Sequence, residues 1–190
     1  FLEFFPKKRI VTALQFKDRV VNCAAYNTLY PIYRPSFYEH SYGCIPGRGP
    51  EKAVNQLQYW MRLIRTKPGK WYIGKTDIAK FYFRIPVETQ LDFLSRSLDD
   101  PDMMWFLETS IRADGRAMGL PVDAPPDVET AERIPGIGMQ VGSPISQLTA
   151  NLVMTATDNF IKRDLKIPYY IRLMDDMIML APSKSQVEDA

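Results

Sequence analysis

Two adjacent acids, Asp175 and Asp176, stand in the middle of an otherwise apolar, strand-forming run, Tyr170-Ile171-Arg172-Leu173-Met174-Asp175-Asp176-Met177-Ile178-Met179-Leu180. Aspartate is common in turns, so one reading is a hairpin with an acidic tip. Asp-Asp, however, supplies no glycine for the positive φ that tight hairpin turns favour, and neighbouring like charges raise each other's pKa when partly buried. A divalent cation removes that penalty, because Mg²⁺ takes one or two carboxylates together with substrate phosphates. A third acid, Asp77, lies 98 positions earlier, at the end of the strand-like Trp71-Tyr72-Ile73-Gly74-Lys75-Thr76 and ahead of the bulky Ile78, Phe81, Tyr82 and Phe83. By itself it reads best as a helix N-cap or turn residue. A strand-end carboxylate combined with a hairpin pair is what two-metal phosphoryl transfer needs. There, one ion acidifies an attacking hydroxyl and a second, about 3.5–4 Å away, stabilises the leaving pyrophosphate oxygens. Such a reaction asks for positioning and charge neutralisation rather than an imidazole base, so the presence of a single histidine, His40, is no objection.

Charge is unevenly distributed along the 190 residues. The net charge is only +2, yet residues 1–75 hold 13 Lys/Arg against 4 Asp/Glu, whereas residues 76–190 hold 11 against 18. A basic half suggests a polyanionic partner; an acidic half is either a solvated surface or a concentration of carboxylates for metal. With 46% hydrophobic and 24% charged residues the chain is globular, which excludes a disordered tail or a collagen-like rod. No apolar run approaches the roughly 18–20 residues of a membrane span, and no signal-peptide pattern opens the sequence. With only two cysteines, Cys23 and Cys44, neither a disulfide framework nor a four-ligand zinc site fits. These features predict a soluble intracellular protein.

The elements that must position the acids follow from periodicity. The basic patch Lys7-Lys8-Arg9 leads into a β-rich run, Ile10 to Leu14. Phe16, Val20, Val21, Ala24, Ala25 and Leu29 then recur at helical spacing. Residues 31–50, rich in Pro and Gly, read as loop, and a helix follows from about Glu51 to Arg65, closed by Pro68-Gly69. Trp71 to Asp77 reads as a strand. Helices are predicted over Glu88–Leu98 and Pro101–Arg112, and the polar, acidic 113–138 as an exposed insertion. A helix from Pro144 to about Leu165 has Ser143 at its N-cap and Ile145, Leu148, Leu152, Ala156 and Phe160 on one face. Tyr169 to Leu180 is a β-forming run interrupted by the two acids, and a last helix begins near Ser183. No internal repeat or low-complexity segment is present.

Taken in order, these blocks resemble the fingers and palm of a prokaryotic reverse transcriptase across essentially the whole chain. Lys7-Lys8-Arg9-Ile10-Val11 through Phe16-Lys17-Asp18-Arg19-Val20-Val21 is similar to the first fingers block and its helix. Tyr42-Gly43-Cys44-Ile45-Pro46-Gly47-Arg48-Gly49 resembles the next, and Lys75 to Tyr82 the strand bearing the first metal-binding aspartate. Val141-Gly142 to Ser146-Gln147 and on to Asn151-Leu152 resembles the loop and helix beside the incoming nucleotide, and Met174-Asp175-Asp176 the catalytic hairpin. The resemblance implies an α/β (α+β) right-hand polymerase, with fingers over 1–70 and a palm over 71–190 whose sheet carries the hairpin and is backed by helices. It further implies a stretch that carries fingers and palm with the thumb absent. It implies catalytic Asp77, Asp175 and Asp176, with two Mg²⁺ ions (Mn²⁺ being an alternative) held by Asp77, Asp175 and the Ile78 carbonyl. Arg9 and Lys7 would meet the triphosphate, Tyr82 would be a steric gate against ribose, and Val141 and Gly142 would line the nucleotide side. Lys17, Arg19, Arg48, Ser146, Gln147 and Leu173 are candidates for template or primer contact. The implied partners are an RNA template, a DNA or RNA primer and dNTPs, in a bacterial or phage-derived cytoplasmic setting without a membrane.

Departures from the family pattern carry expectations of their own. Leu173 stands where most of the family has Tyr, beside the primer end. Val141 and Ser146-Gln147 are closest in style to diversity-generating retroelement and unclassified bacterial enzymes, in which an aliphatic residue at the Val141 position goes with relaxed fidelity. Competing readings are an RNA-dependent RNA polymerase, disfavoured by Phe81 and Tyr82 where a second aspartate is usual, a catalytically inactive nucleic-acid-binding remnant, and a template-independent nucleotide transferase of a phage-defence type.

Overall fold

The computed structural model describes residues 14–112, 115–124 and 132–188, together with the backbone of two short strands at residues 2–3 and 9–10. Among these, the elements in order are β1 (Leu2–Glu3), β2 (Arg9–Ile10), α1 (Phe16–Tyr33), α2 (Pro50–Arg65), β3 (Tyr72–Asp77), α3 (Val87–Ser95), α4 (Pro101–Arg112), α5 (Pro144–Asn159), β4 (Tyr169–Leu173), β5 (Asp176–Ala181) and α6 (Lys184–Glu188). The chain divides into two compact units, Phe1–Pro35 with Lys80–Val153, and Ser36–Ala79 with Met154–Ala190. None of the described helices is long and apolar enough to cross a membrane.

The second unit is built on a three-stranded antiparallel sheet in the order β3-β5-β4. β5 takes the centre because its Met177, Met179, Leu180 and Ala181 are all buried. β3 alternates between half-buried and exposed positions, as a strand with one solvated face should. On the face of β4 and β5 that carries Ile171 and Leu180, α2 packs Ala53, Leu57, Trp60, Met61 and Ile64, whose spacing makes one helical stripe, against these two residues and Tyr42, Trp71 and Tyr169. Segment 40–42 runs along β4: the Arg172 amide donates to the His40 carbonyl at 3.1 Å and the Tyr42 amide to the Arg172 carbonyl at 2.8 Å. The Tyr42-Gly43 block is thereby drawn against the hairpin.

The other unit buries Leu29 and Tyr33 of α1, Leu94 of α3, and Leu107 and Ile111 of α4. The Tyr33 hydroxyl donates to the Leu94 carbonyl at 2.6 Å. Buried Gln90 donates its amide to the carbonyls of Ile85 and Gly138, at 3.2 and 3.0 Å, which fixes the 138–140 segment on α3.

The α+β class and the helix-backed palm sheet agree with expectation, and several boundaries move. α1 continues through Pro31 to Tyr33 instead of ending near residue 30. The proline falls in the last turn, where it removes only one intrahelical bond, while the buried Leu29 and Tyr33 on either side hold that turn to the core. α3 stops at Ser95 rather than Leu98, and α5 gives way at Phe160–Asp164 to a π-helical turn. Leu14 is not in a strand, and residues 11–13 of that expected strand lie outside the described residues. The stretch expected as an exposed insertion is anchored where it is described: Leu120 is buried, Gly119 pairs with Ile134, and Ile137 pairs with Pro86.

Candidate active site

Asp77 and Asp176 are direct partners in the β3–β5 ladder, so sheet register alone sets two of the three acids side by side. Leu173 pairs with Asp176 across β4–β5, leaving Met174 and Asp175 as a two-residue turn. The acidic pair is therefore not the turn itself: Asp175 is its second residue and Asp176 opens β5. The positive φ such a turn needs is taken by Met174, at 60°. A non-glycine residue there is strained, at a cost of order 1–3 kcal/mol, and the surroundings must enforce it.

Two contacts enforce it. Gly43 lies so close to Met174 that a Cβ on it would come within 2.5 Å of the Met174 amide nitrogen. Below the turn, the Met174 carbonyl accepts a hydrogen bond from Arg172 Nη1 at 3.0 Å. Arg172 is fully buried and makes a two-pronged ion pair with buried Asp158, Nε to Oδ1 and Nη2 to Oδ2, both 2.8 Å. The Tyr170 hydroxyl donates to Asp158 Oδ1 at 2.8 Å, and the Tyr38 hydroxyl to the Tyr170 carbonyl at 2.9 Å. Burial, aided by Asp158 at Tyr170 and by Glu39 and then Asp158 at Tyr38, pushes both phenols well above their ordinary range, so both remain donors.

The carboxyls of Asp175 and Asp77 come within hydrogen-bonding reach of each other. Burial, then the charges of Asp77 and Asp176, raise the Asp175 pKa. Asp176 instead faces Lys75, 3.3 Å from its Nζ in a largely exposed pair. Among the described residues no group of three or more His, Cys, Asp or Glu side chains is gathered as a metal cage. The donor set is two hard carboxylates close enough to share one proton or one cation. That matches Mg²⁺, which is held by one or two carboxylates and completes its shell from water and substrate oxygens.

The remaining expected site residues are distributed as follows. Ile78 directly follows β3, in the same unit as the three aspartates. In that unit too, Arg48 donates from Nη1 to the carbonyls of Tyr38 and Ser41, both at 2.8 Å, so it braces the loop leading to Gly43. The other unit carries Tyr82, in a short 3₁₀ turn whose carbonyl accepts from the Met139 amide at 2.7 Å. Nearby, half-buried Val141 lines a cavity of about 170 Å³ with Phe83, Arg116, Met118, Arg133 and Gln140. Gly142 has a φ of 102°, Ser146 is buried and Gln147 half-buried on the first turn of α5. Lys17 and Arg19 are exposed on α1. Arg9 is described only as backbone in β2, and Lys7 lies outside the described residues. Sequence reasoning gave no role to Arg172 and Asp158. The available signal was a cation placed among buried strand residues three positions before Asp175.

Three comparisons bear on this arrangement. The chain is similar over 145 residues to protein YkfC of Escherichia coli strain K12, at 23% identity, covering 76% of this chain and 35% of that protein. Among solved structures it resembles apo telomerase from Candida tropicalis truncated from its C-terminal domain (TM-score 0.52, 14% identity, 90% of this chain and 34% of that one). It also resembles telomerase from Candida albicans in complex with a TWJ fragment of telomeric RNA (TM-score 0.53, 12% identity, 89% and 30%). The chain thus spans about a third of the length of these relatives, and at such identities the structures speak for the fold. Residues 5–190 match the reverse transcriptase (RNA-dependent DNA polymerase) family, nearly the full length. The chain belongs to that family.

Proposed function

We propose that this chain carries the catalytic carboxylates of an RNA-directed DNA polymerase that extends a DNA or RNA primer on an RNA template with dNTPs. One observation supports this above the rest: the β3–β5 register places Asp77 beside Asp176, and the hairpin turn brings the Asp175 carboxyl within hydrogen-bonding reach of Asp77. Outside a metal or phosphate site such an arrangement only costs stability, because burial and like charge both oppose ionisation.

Asp77 and Asp175, with the Ile78 carbonyl, are the groups that would hold two Mg²⁺ ions. When bound, magnesium acidifies the primer 3′-hydroxyl and neutralises charge on the leaving pyrophosphate. The protein's own contribution is placement. β3 and the hairpin hold two carboxylates at one end of the sheet, so little reorganisation is needed when substrate arrives. Lys75, 3.3 Å from Asp176, offsets part of the negative charge that Asp176 adds beside them. In the other unit Tyr82 would exclude a ribose 2′-hydroxyl, Val141 and Gly142 would line the nucleotide side, and Ser146 and Gln147 the template side. The basic excess of residues 1–75 suits binding to nucleic-acid backbone, which is electrostatic and salt-dependent.

The test is extension of a labelled DNA primer on an RNA template with Mg²⁺, using the full-length parent protein and each of the four dNTPs and NTPs. Template-directed dNTP addition that is lost in Asp175→Asn is the expected result. Salt-sensitive RNA binding with no extension would replace the polymerase with a nucleic-acid-binding remnant. Extension without regard to template would make it a template-independent transferase.

A further inference from the structure

We infer that Arg172, held by Asp158, is a positioning residue that sets the Asp175 carboxylate through the carbonyl of Met174. This rests on the assignment of Asp175 to the metal site. A guanidinium has five donors in a planar fork. Arg172 uses two on the Asp158 carboxylate, at 2.8 Å each, and directs a third at the Met174 carbonyl, at 3.0 Å. Asp158 lies on the last turn of α5, so the ion pair ties a rigid helix to a two-residue turn. Tyr170 closes the other side with its bond to the same carboxylate oxygen. The side chains of Arg172 and Asp158 are 0% and 4% exposed, so this geometry is neither screened nor shared with solvent.

A buried ion pair is a poor way to gain stability, since an apolar pair of similar volume often does as well or better. What an apolar pair cannot do is donate to the Met174 carbonyl. That carbonyl belongs to the one turn residue with a positive φ, and its peptide group leads directly into Asp175. Rotation of this peptide swings the Asp175 side chain relative to Asp77 on β3. A lysine could keep the charge, but it cannot span both the carboxylate and the turn with fixed geometry.

Four full-length proteins test this: wild type, Arg172→Lys, the apolar double variant Asp158→Leu/Arg172→Met, and Asp175→Asn as the metal-site control. Three readouts are needed: hydrogen exchange of the 173–176 amides, Mn²⁺ affinity by EPR titration, and primer extension separated into kcat and KM. The double variant should stay folded but melt several degrees lower, because the buried Tyr170 hydroxyl loses its Asp158 partner. It should also lose exchange protection in the turn, weaken Mn²⁺ binding about 10–100-fold and lower kcat by a similar factor, as expected on removing an outer partner of a metal ligand. KM for primer–template should stay within about twofold. Arg172→Lys guards against a folding failure of the double variant and should show the same pattern more mildly. Unchanged turn protection in a folded variant would overturn the inference whatever the catalytic result, as would a kcat loss that only tracks the unfolded fraction. A wild-type protein that binds no Mn²⁺ and adds no nucleotide would overturn the polymerase assignment instead, with turn protection still deciding the role of Arg172 in positioning.

Discussion

Replacing Gly43 with alanine isolates the coupling between the 40–49 loop and the hairpin. The added Cβ would lie 2.5 Å from the Met174 amide nitrogen, 2.5 Å from its Cγ and 2.9 Å from its Sδ. Ordinary contact begins at 3.4 Å, so the deficit is about 0.9 Å. The Met174 side chain can rotate away, but its amide nitrogen cannot retreat without moving the turn. Overpacking of this kind costs about 1–3 kcal/mol. Relief in the opposite direction is restricted, because Tyr42 is bonded to the Arg172 carbonyl at 2.8 Å and Arg48 braces Ser41. The displacement therefore falls on Met174-Asp175. A misplacement near 1 Å costs about 10²-fold in rate, so Gly43→Ala should lose about two orders of magnitude in kcat against a stability loss too small to unfold the protein. Urea melts and primer extension on the same preparations separate the two effects. Wild-type kcat with a normal urea midpoint would falsify the claim that Gly43 is present because the hairpin needs its space.

Four further outcomes follow from named contacts. Asp77→Asn and Asp175→Asn should each lower Mg²⁺-dependent extension by about 10²–10³-fold or more. Asp176→Asn should cost clearly less, because its carboxylate faces exposed Lys75; equal losses in single-turnover extension would contradict that division. Tyr170→Phe deletes the buried donor to Asp158 and should destabilise by about 1–3 kcal/mol in urea denaturation, and a null effect would show that the bond contributes nothing. Tyr82→Ala should raise rNTP use relative to dNTP use in competitive incorporation, and an unchanged ratio would remove the gate assignment. His40 provides a pH dependence. Burial, aided by Lys162 and Arg48 and opposed by Glu39, lowers its pKa below the ordinary 6.5. Above that value the ring is neutral in both states and contributes nothing. As pH falls through about 6.5 towards the lower folded value, the unfolded chain takes up a proton that the folded one refuses, so stability declines. His40→Gln should flatten that decline in urea midpoints measured between about pH 7 and pH 5.5, and an identical slope would exclude His40 as its source.

Much of this was readable in the sequence because it depends on period and order. The strand at 72–77, the helices at 50–65 and 101–112 and the hairpin acids all follow from apolar spacing interrupted by unlike residues. Chain order then brought the resemblance to reverse transcriptases. What could not be read was set by long-range partners. Pro31 looks like a helix stop, and only the burial of Leu29 and Tyr33 explains why the helix passes through it. Asp-Asp looks like a poor hairpin turn, and the resolution lies one residue upstream, in the positive φ of Met174. Arg48 looks like a nucleic-acid contact, yet its Nη1 donates to two loop carbonyls. Spacing cannot reveal such commitments, because the partners are carbonyls that every residue has.

The same logic explains why the strain sits at Met174. A glycine there would adopt φ 60° freely, but it would also let the turn sample other conformations. Methionine reaches that φ only while Gly43 leaves room above it and Arg172 holds its carbonyl below. The turn is then determined by contacts on both sides and not by its own preference. Local preference and tertiary demand disagree here more than anywhere else in the sheet, and they do so next to Asp175, the residue proposed to hold a cation. Strain of this kind persists only where the surroundings over-determine it. A sequence selected for stability alone would place Gly or Asn at position 174. Retaining methionine is consistent with a hairpin whose single permitted geometry serves the Asp77–Asp175 pair.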